Sequence, residues 1–171
     1  MAEVKGKFIT LTCMLMQNNP EVLKKADEYL EDETGCTHME LDPEEFYDTK
    51  LWDTTMTIYS EAHDDPKQAI INLGKRVYPT IKRTAGMPPH LKTPLDFVRF
   101  EAEGYLANHN GDDVIPRKII NESEKEITMY APAPGYNEHL YIGVWLGILE
   151  MIGINTGQVD ELGDSTYRIY W

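Results

Sequence analysis

Apolar residues recur at helical spacing through the first part of the chain and change to a two-residue alternation after Asn110-Gly111. The opening run from Lys7 to Met16 is apolar with β-branched members, and its pattern fits a strand and a buried helix equally. Asn19-Pro20 then supplies an N-cap with proline at the first helical position, and Val22, Leu23, Ala26, Tyr29 and Leu30 share one face before Gly35 stops the helix. Asp42-Pro43 repeats the start signal ahead of a broad stripe of Phe46, Tyr47, Leu51, Trp52, Thr55, Ile58 and Tyr59. Asp65-Pro66 starts a third helix, in which Ala69, Ile70, Leu73, Val77 and Ile81 keep the spacing up to Gly86. Thr93-Pro94 starts a fourth, through Leu95, Val98, Phe100, Ala102 and Leu106 towards the Asn110-Gly111 turn.

Residues 114–120 are rich in β-formers but broken by Pro116, which predicts an edge strand, and 125–131 alternate as a half-buried strand. The run Ala131-Pro132-Ala133-Pro134-Gly135-Tyr136-Asn137 is a loop. Asn137 then caps an unusually apolar helix over 138–152, where Gly143 and Gly147 allow another backbone to approach one side. Strands near 154–160 and 165–171 finish the chain around Gly163-Asp164. The expected fold class is α+β: N-terminal helices packed on a small antiparallel sheet, ending β-β-α-β-β, in a single domain over 1–171.

Length supports that count, since 171 residues leave no room for two well-cored halves, and 42% hydrophobic with 26% charged residues is globular composition. The balance of 16 basic and 29 acidic residues gives a net charge of −13, a field that repels nucleic acid and anionic membrane surfaces. No window reaches the roughly 20 apolar residues of a membrane span, and the start lacks a signal peptide's apolar region, so the expected location is cytoplasmic. Cys13 and Cys36 stand without a CxxC spacing and read as reduced, buried thiols.

Motifs for chemistry are sparse. The five histidines form no HxxxH or HExxH. His38-x-Glu40-x-Asp42 would gather ligands on a strand, but Pro43 opens a helix there and it reads as a solvated acidic loop; His109-Asn110-Gly111-Asp112-Asp113 lacks the calcium-loop pattern and reads as a polar turn. There is no GxSxG, P-loop or GxGxxG, and the chain is not expected to be an enzyme. The ten tyrosines and three tryptophans carry more information. Tyr105, Tyr130, Tyr136, Tyr141 and Trp145 fall around the β-β-α unit, where aromatic walls with polar tips suit a small-molecule cavity, an ordinary core or a dimer interface.

The order of these pieces resembles the superfamily of haem-nitric-oxide/oxygen-binding (H-NOX) sensors, 4-vinyl-reductase-type domains and TRAPP trafficking subunits. Lys5-Gly6 with Ile9 is similar to the family's opening Lys-Gly-x-Ile, and Leu73-Gly74-Lys75-Arg76 to its central leucine-glycine-basic turn. Leu95 to Tyr105 resembles the proximal helix, Pro116 followed by Glu126-Ile127-Thr128-Met129-Tyr130 the first hairpin, and Gly143 to Gly153 the helix after it.

The departures limit what the resemblance implies. Haem-binding members place the axial histidine about 11 residues before the proline, and counting back from Pro116 reaches Tyr105. Their Tyr-x-Ser-x-Arg, which holds the haem propionates, is matched by Tyr130-Ala131-Pro132-Ala133-Pro134, with prolines in place of serine and arginine. The expectation is therefore a member without cofactor, haem being disfavoured: a sensory or signalling domain holding an apolar small molecule. Tyr105, Tyr130 and Trp145 would line the pocket, with His109 near its mouth. Signal would leave through a homodimer or a separate signalling protein, the sequence carrying no kinase, cyclase or receptor module. The alternatives are a haem-based NO/O2 sensor with Tyr105 or His109 as axial ligand, a dimeric scaffold subunit with a filled core, and an enzyme on a small phenolic or vinyl substrate.

Overall fold

A computed structural model describes residues 1–171, and the chain divides into two compact units, each assembled from separate stretches. The first unit comprises 1–70, 108–114 and 134–137; the second comprises 71–107, 115–133 and 138–171.

The first unit is built on a short antiparallel sheet in the order β2-β1-β3, formed by β1 (Glu3–Lys5), β2 (Phe46–Asp48) and β3 (His109–Asn110). Val4 lies opposite Tyr47 on one side and His109 on the other. The open question at residues 7–16 resolves as a helix, α1 (Gly6–Leu15), because Ile9, Thr12, Cys13 and Met16 fall on one buried side. The next helix, α2 (Pro20–Thr34), follows its sequence signals: the Asn19 side chain accepts from Val22 N and Gly35 ends it in the left-handed conformation.

The helix expected from Asp42-Pro43 does not start there. The Asp42 carboxylate accepts from Glu44 N in a local turn, and the Pro43 and Glu45 carbonyls accept from Lys7 N and Gly6 N, so this loop satisfies the first amides of α1. Three residues then pair as β2, and α3 (Thr49–Ser60) starts only afterwards, capped by Asp48 accepting from Lys50 N. The α1 and α3 helices are tied by the Trp52 indole, which donates to Thr12 Oγ1 at 2.7 Å while Thr12 donates to the Phe8 carbonyl.

The third expected helix is two, α4 (Pro66–Lys75) and α5 (Val77–Thr84), with the break at Arg76; α4 gives its first turns to the first unit and its last to the second. The second unit continues with α6 (Pro94–Asn108), whose first turn is locked by reciprocal bonds between Thr93 and Asp96. Its sheet is antiparallel in the order β4-β5-β7-β6. The strand expected over 114–120 forms at Lys118–Glu122 (β4), beyond Pro116, and is followed by β5 (Glu126–Tyr130). Between β5 and the last hairpin lies α7 (His139–Met151), starting behind Glu138 rather than Asn137, whose N–H instead donates to Asp53 Oδ1. The closing strands are β6 (Gln158–Gly163), later than the expected 154–160, and β7 (Thr166–Tyr170). Asp164 and Ser165 at their turn both have positive φ, the geometry that matches strand twist in a two-residue hairpin.

Ile127, Met129, Tyr167 and Ile169 form the buried face of this sheet, and Trp145 of α7 meets Tyr167 edge-on at 5.1 Å between ring centroids. The other side of α7 is pressed against the chain at Ile71, Gly74 and Lys75, whose backbone atoms lie where side chains of Gly143 and Gly147 would stand. No helix is long and apolar enough to cross a membrane.

Candidate functional site

The buried stripe of α6 reads Phe97, Val98, Glu101, Tyr105, so a carboxylate occupies a position where helical spacing demands an apolar residue. Its partner is Arg117, on the irregular stretch just before β4, whose side chain is 2% exposed against 7% for that of Glu101. Arg117 Nη1 is bound directly to Glu101 Oε1. Taking two charges out of water is offset only when the surroundings solvate them, and here aromatic faces do so. The guanidinium carbon lies 4.0 Å from the ring centroid of Tyr141, 4.5 Å from that of Tyr105 and 5.8 Å from that of Trp145. Tyr141 and Trp145 are one turn apart on α7, and this places both rings on the same charge.

Electrostatics in this chamber follow from burial. The Glu101 carboxyl is pushed up by desolvation, with the Arg117 charge and the Trp145 indole N–H pulling the other way. Glu101 Oε2 and Trp145 Nε1 are nevertheless both buried without a hydrogen-bond partner in the protein. The phenols of Tyr105 and Tyr78 are driven well above the usual tyrosine value, chiefly by desolvation, and in both Glu101 raises and Arg117 lowers it. Chemically this is a buried setting that favours a cation and keeps the Tyr105 and Tyr78 phenols neutral.

Of the residues singled out in the sequence, Tyr105 and Trp145 are brought together here. Tyr130 is not, because it shares the face of Glu126 and Thr128, opposite to that of Ile127 and Met129, and pairs across the sheet with Lys118 and Thr166. His109 lies in the first unit, in an aromatic group with Phe8, Trp52 and Tyr136, where Trp52 and Tyr136 are 4.6 Å apart. Its Nε2 shares a hydrogen bond of 3.1 Å with the Tyr136 hydroxyl. Replacing Tyr136 by phenylalanine strands that buried imidazole nitrogen and is expected to lower stability by about 1–2 kcal/mol in urea unfolding.

The remaining candidates are placed differently from a solvated loop or a turn: His38 is buried, and His109–Asn110 is strand β3. His38 pairs through Nδ1 with Asp27 at 2.7 Å, Glu40 accepts from Thr37, and Asp113 meets the amino terminus, so neither acidic loop gathers ligands on one point. No group of three or more His, Cys, Asp or Glu side chains is disposed to hold a metal ion. Cys13 is fully buried and its thiol is pushed up to about 12, first by desolvation and then by Asp27, an inert setting.

Glu101 and Arg117 were the residues that sequence reasoning missed. A glutamate within the Phe97, Val98, Tyr105 stripe is the one local sign of such a pair, since an arginine after proline in a polar segment reads as surface.

No protein-family model and no curated protein matches this chain. Solved structures do match in fold. The Fe(II) unliganded H-NOX protein from K. algicida superposes with a TM-score of 0.67 at 11% identity over 96% of this chain and 94% of its own. A point mutant of it reaches 0.70 at 12% over 97% and 95%, and a mutant H-NOX of T. tengcongensis reaches 0.64 at 14% over 96% and 93%. The chain therefore has the H-NOX fold, the α+β class expected from its sequence.

Proposed function

We propose that this chain, carrying the H-NOX fold, is a haem-independent sensory or signalling domain that binds a small molecule, with Tyr105 and Trp145 as walls of the site. What carries this reading is the employment of Tyr105. In haem-binding relatives that position would present the axial ligand, whereas here its ring lies against the buried Arg117 guanidinium and its phenol is held protonated by burial. Proteins hold haem iron through imidazole, thiolate, thioether or tyrosinate ligands, and a neutral phenol packed against a cation is none of these. His109 fits no better, since its Nε2 is taken by Tyr136 and its ring by the surrounding aromatics. Tyr130 and His109, expected beside the pocket, are left out of the site proposed here.

Purified protein mixed with excess haem and passed through gel filtration is expected to show no Soret band and to retain the mass of the bare chain in native mass spectrometry. A Soret band that survives the column and moves on Tyr105→Phe or His109→Ala would overturn haem independence. The second reading, a haem-based sensor of NO or O2 with a non-standard ligand, is favoured by the fold, since the K. algicida protein of the same fold is an Fe(II) H-NOX. The same experiment decides between the two. The expected homodimer, a separate signalling partner and a cytoplasmic location remain parts of the proposal, and light scattering tests the first.

A further inference from the structure

We propose that the chamber around Arg117 is a binding site for a small organic cation of the guanidinium class, and that the Arg117 side chain is its built-in competing occupant. This deepens the small-molecule reading above and rests on it. The walls are those a cation needs: the faces of Tyr105, Tyr141 and Trp145 within 5.8 Å of the guanidinium carbon, and a carboxylate at the end. They are also fixed, since Glu101 and Tyr105 stand on α6 and Tyr141 and Trp145 on α7.

The occupant is attached differently. Arg117 sits outside any helix, beside exposed Ile115 and Pro116 and ahead of a mostly exposed edge strand, so only its side chain reaches into the interior. Withdrawing it requires rotation of one side chain and adjustment of a surface segment, with both helices left in place. The fit of that side chain is also incomplete. It engages Glu101 through Oε1, and Oε2 is buried without a partner. A guanidinium free of a tether can offer two parallel N–H groups to both oxygens, the fork geometry that carboxylates bind best. The net charge of −13 raises the local concentration of any cation around the protein.

The test is calorimetric titration of the full chain with methylguanidinium, and with methylurea as its neutral counterpart of similar shape, at about 0.15 M salt to screen surface charge. Saturable binding of one methylguanidinium per chain, and none of methylurea, is expected. Arg117→Gln removes the competitor while keeping a side chain that hydrogen-bonds Glu101, and is expected to tighten binding about tenfold or more. Glu101→Gln is expected to abolish it in either background. Absence of saturable binding in the wild type, equal binding of methylurea, or unchanged binding in Glu101→Gln would each overturn the inference. If Arg117→Gln does not fold, the wild type and Glu101→Gln decide between them. Porphyrin bound to the same sample, seen by absorbance, would instead overturn the broader reading.

Discussion

Arg117→Met is expected to cost about 3–5 kcal/mol in urea unfolding at neutral pH, the largest effect of any single substitution proposed here. Methionine fills much of the volume, so the loss arises from leaving the Glu101 carboxylate in a dry, aromatic chamber without its cation. The companion Glu101→Leu, Arg117→Met is expected to recover most of that loss, because two apolar side chains require no charge to be desolvated. The pH dependence distinguishes this account from simple loss of packing. Burial already raises the Glu101 carboxyl above its ordinary 4.5, and removal of the guanidinium raises it further. An acid raised in the folded state favours the fold below its unfolded value, and that contribution is lost as pH climbs through the folded value. The cost of Arg117→Met should therefore shrink on going from neutral pH to about pH 5. A cost independent of pH over that range would show that Glu101 stays ionised in the folded variant, with its carboxyl not raised.

Gly143→Ala is expected to be the other severe change, at about 2 kcal/mol net, or roughly 4–8 °C in Tm for a chain of this size. A methyl group there would collide with the Ile71 carbonyl and lie 2.9 Å from Gly74 Cα, so backbone must move. Alanine's better helix propensity returns about 1 kcal/mol, which is why the net figure is smaller than the clash. Gly104→Ala on α6 is the internal control. The Tyr78 hydroxyl at 4.0 Å is all that stands near the added methyl, and the substitution is expected to be neutral or mildly stabilising in the same assay.

The two substitutions also mark how far the sequence could be read. Gly143 was legible as a close approach, because two glycines one turn apart in a strongly apolar helix have few other uses. Helix starts at Asn19-Pro20, Asp65-Pro66 and Thr93-Pro94 were legible because their caps are local: Asn19, Asp65 and Thr93 each accept from an amide three residues on. Asp42-Pro43 carries the same signal, and its failure has a non-local cause, since its loop is committed to the amides of α1. The three strands of the first unit were invisible at two or three residues each, too short for any period to register. For Arg117 the obstacle was distance along the chain. Nothing near it announces that a glutamate sixteen positions earlier will receive it. The proximity of Tyr105 to Trp145 could be anticipated from aromatic placement, whereas the face taken by Tyr130 could not, because strand alternation permits either face until the sheet is assembled.

The central position of β1 bears on how the protein is born. The strand that both neighbours must join is synthesised about a hundred residues ahead of His109 and Asn110, and the first unit is complete only when residue 137 is out. Until then the nascent chain holds a strand with one bare edge, and closing so long a loop is slow. Synthesis that pauses before that point would leave β1 and the helices around it exposed to proteases and to sticking, so translation speed across residues 60–110 becomes a determinant of yield.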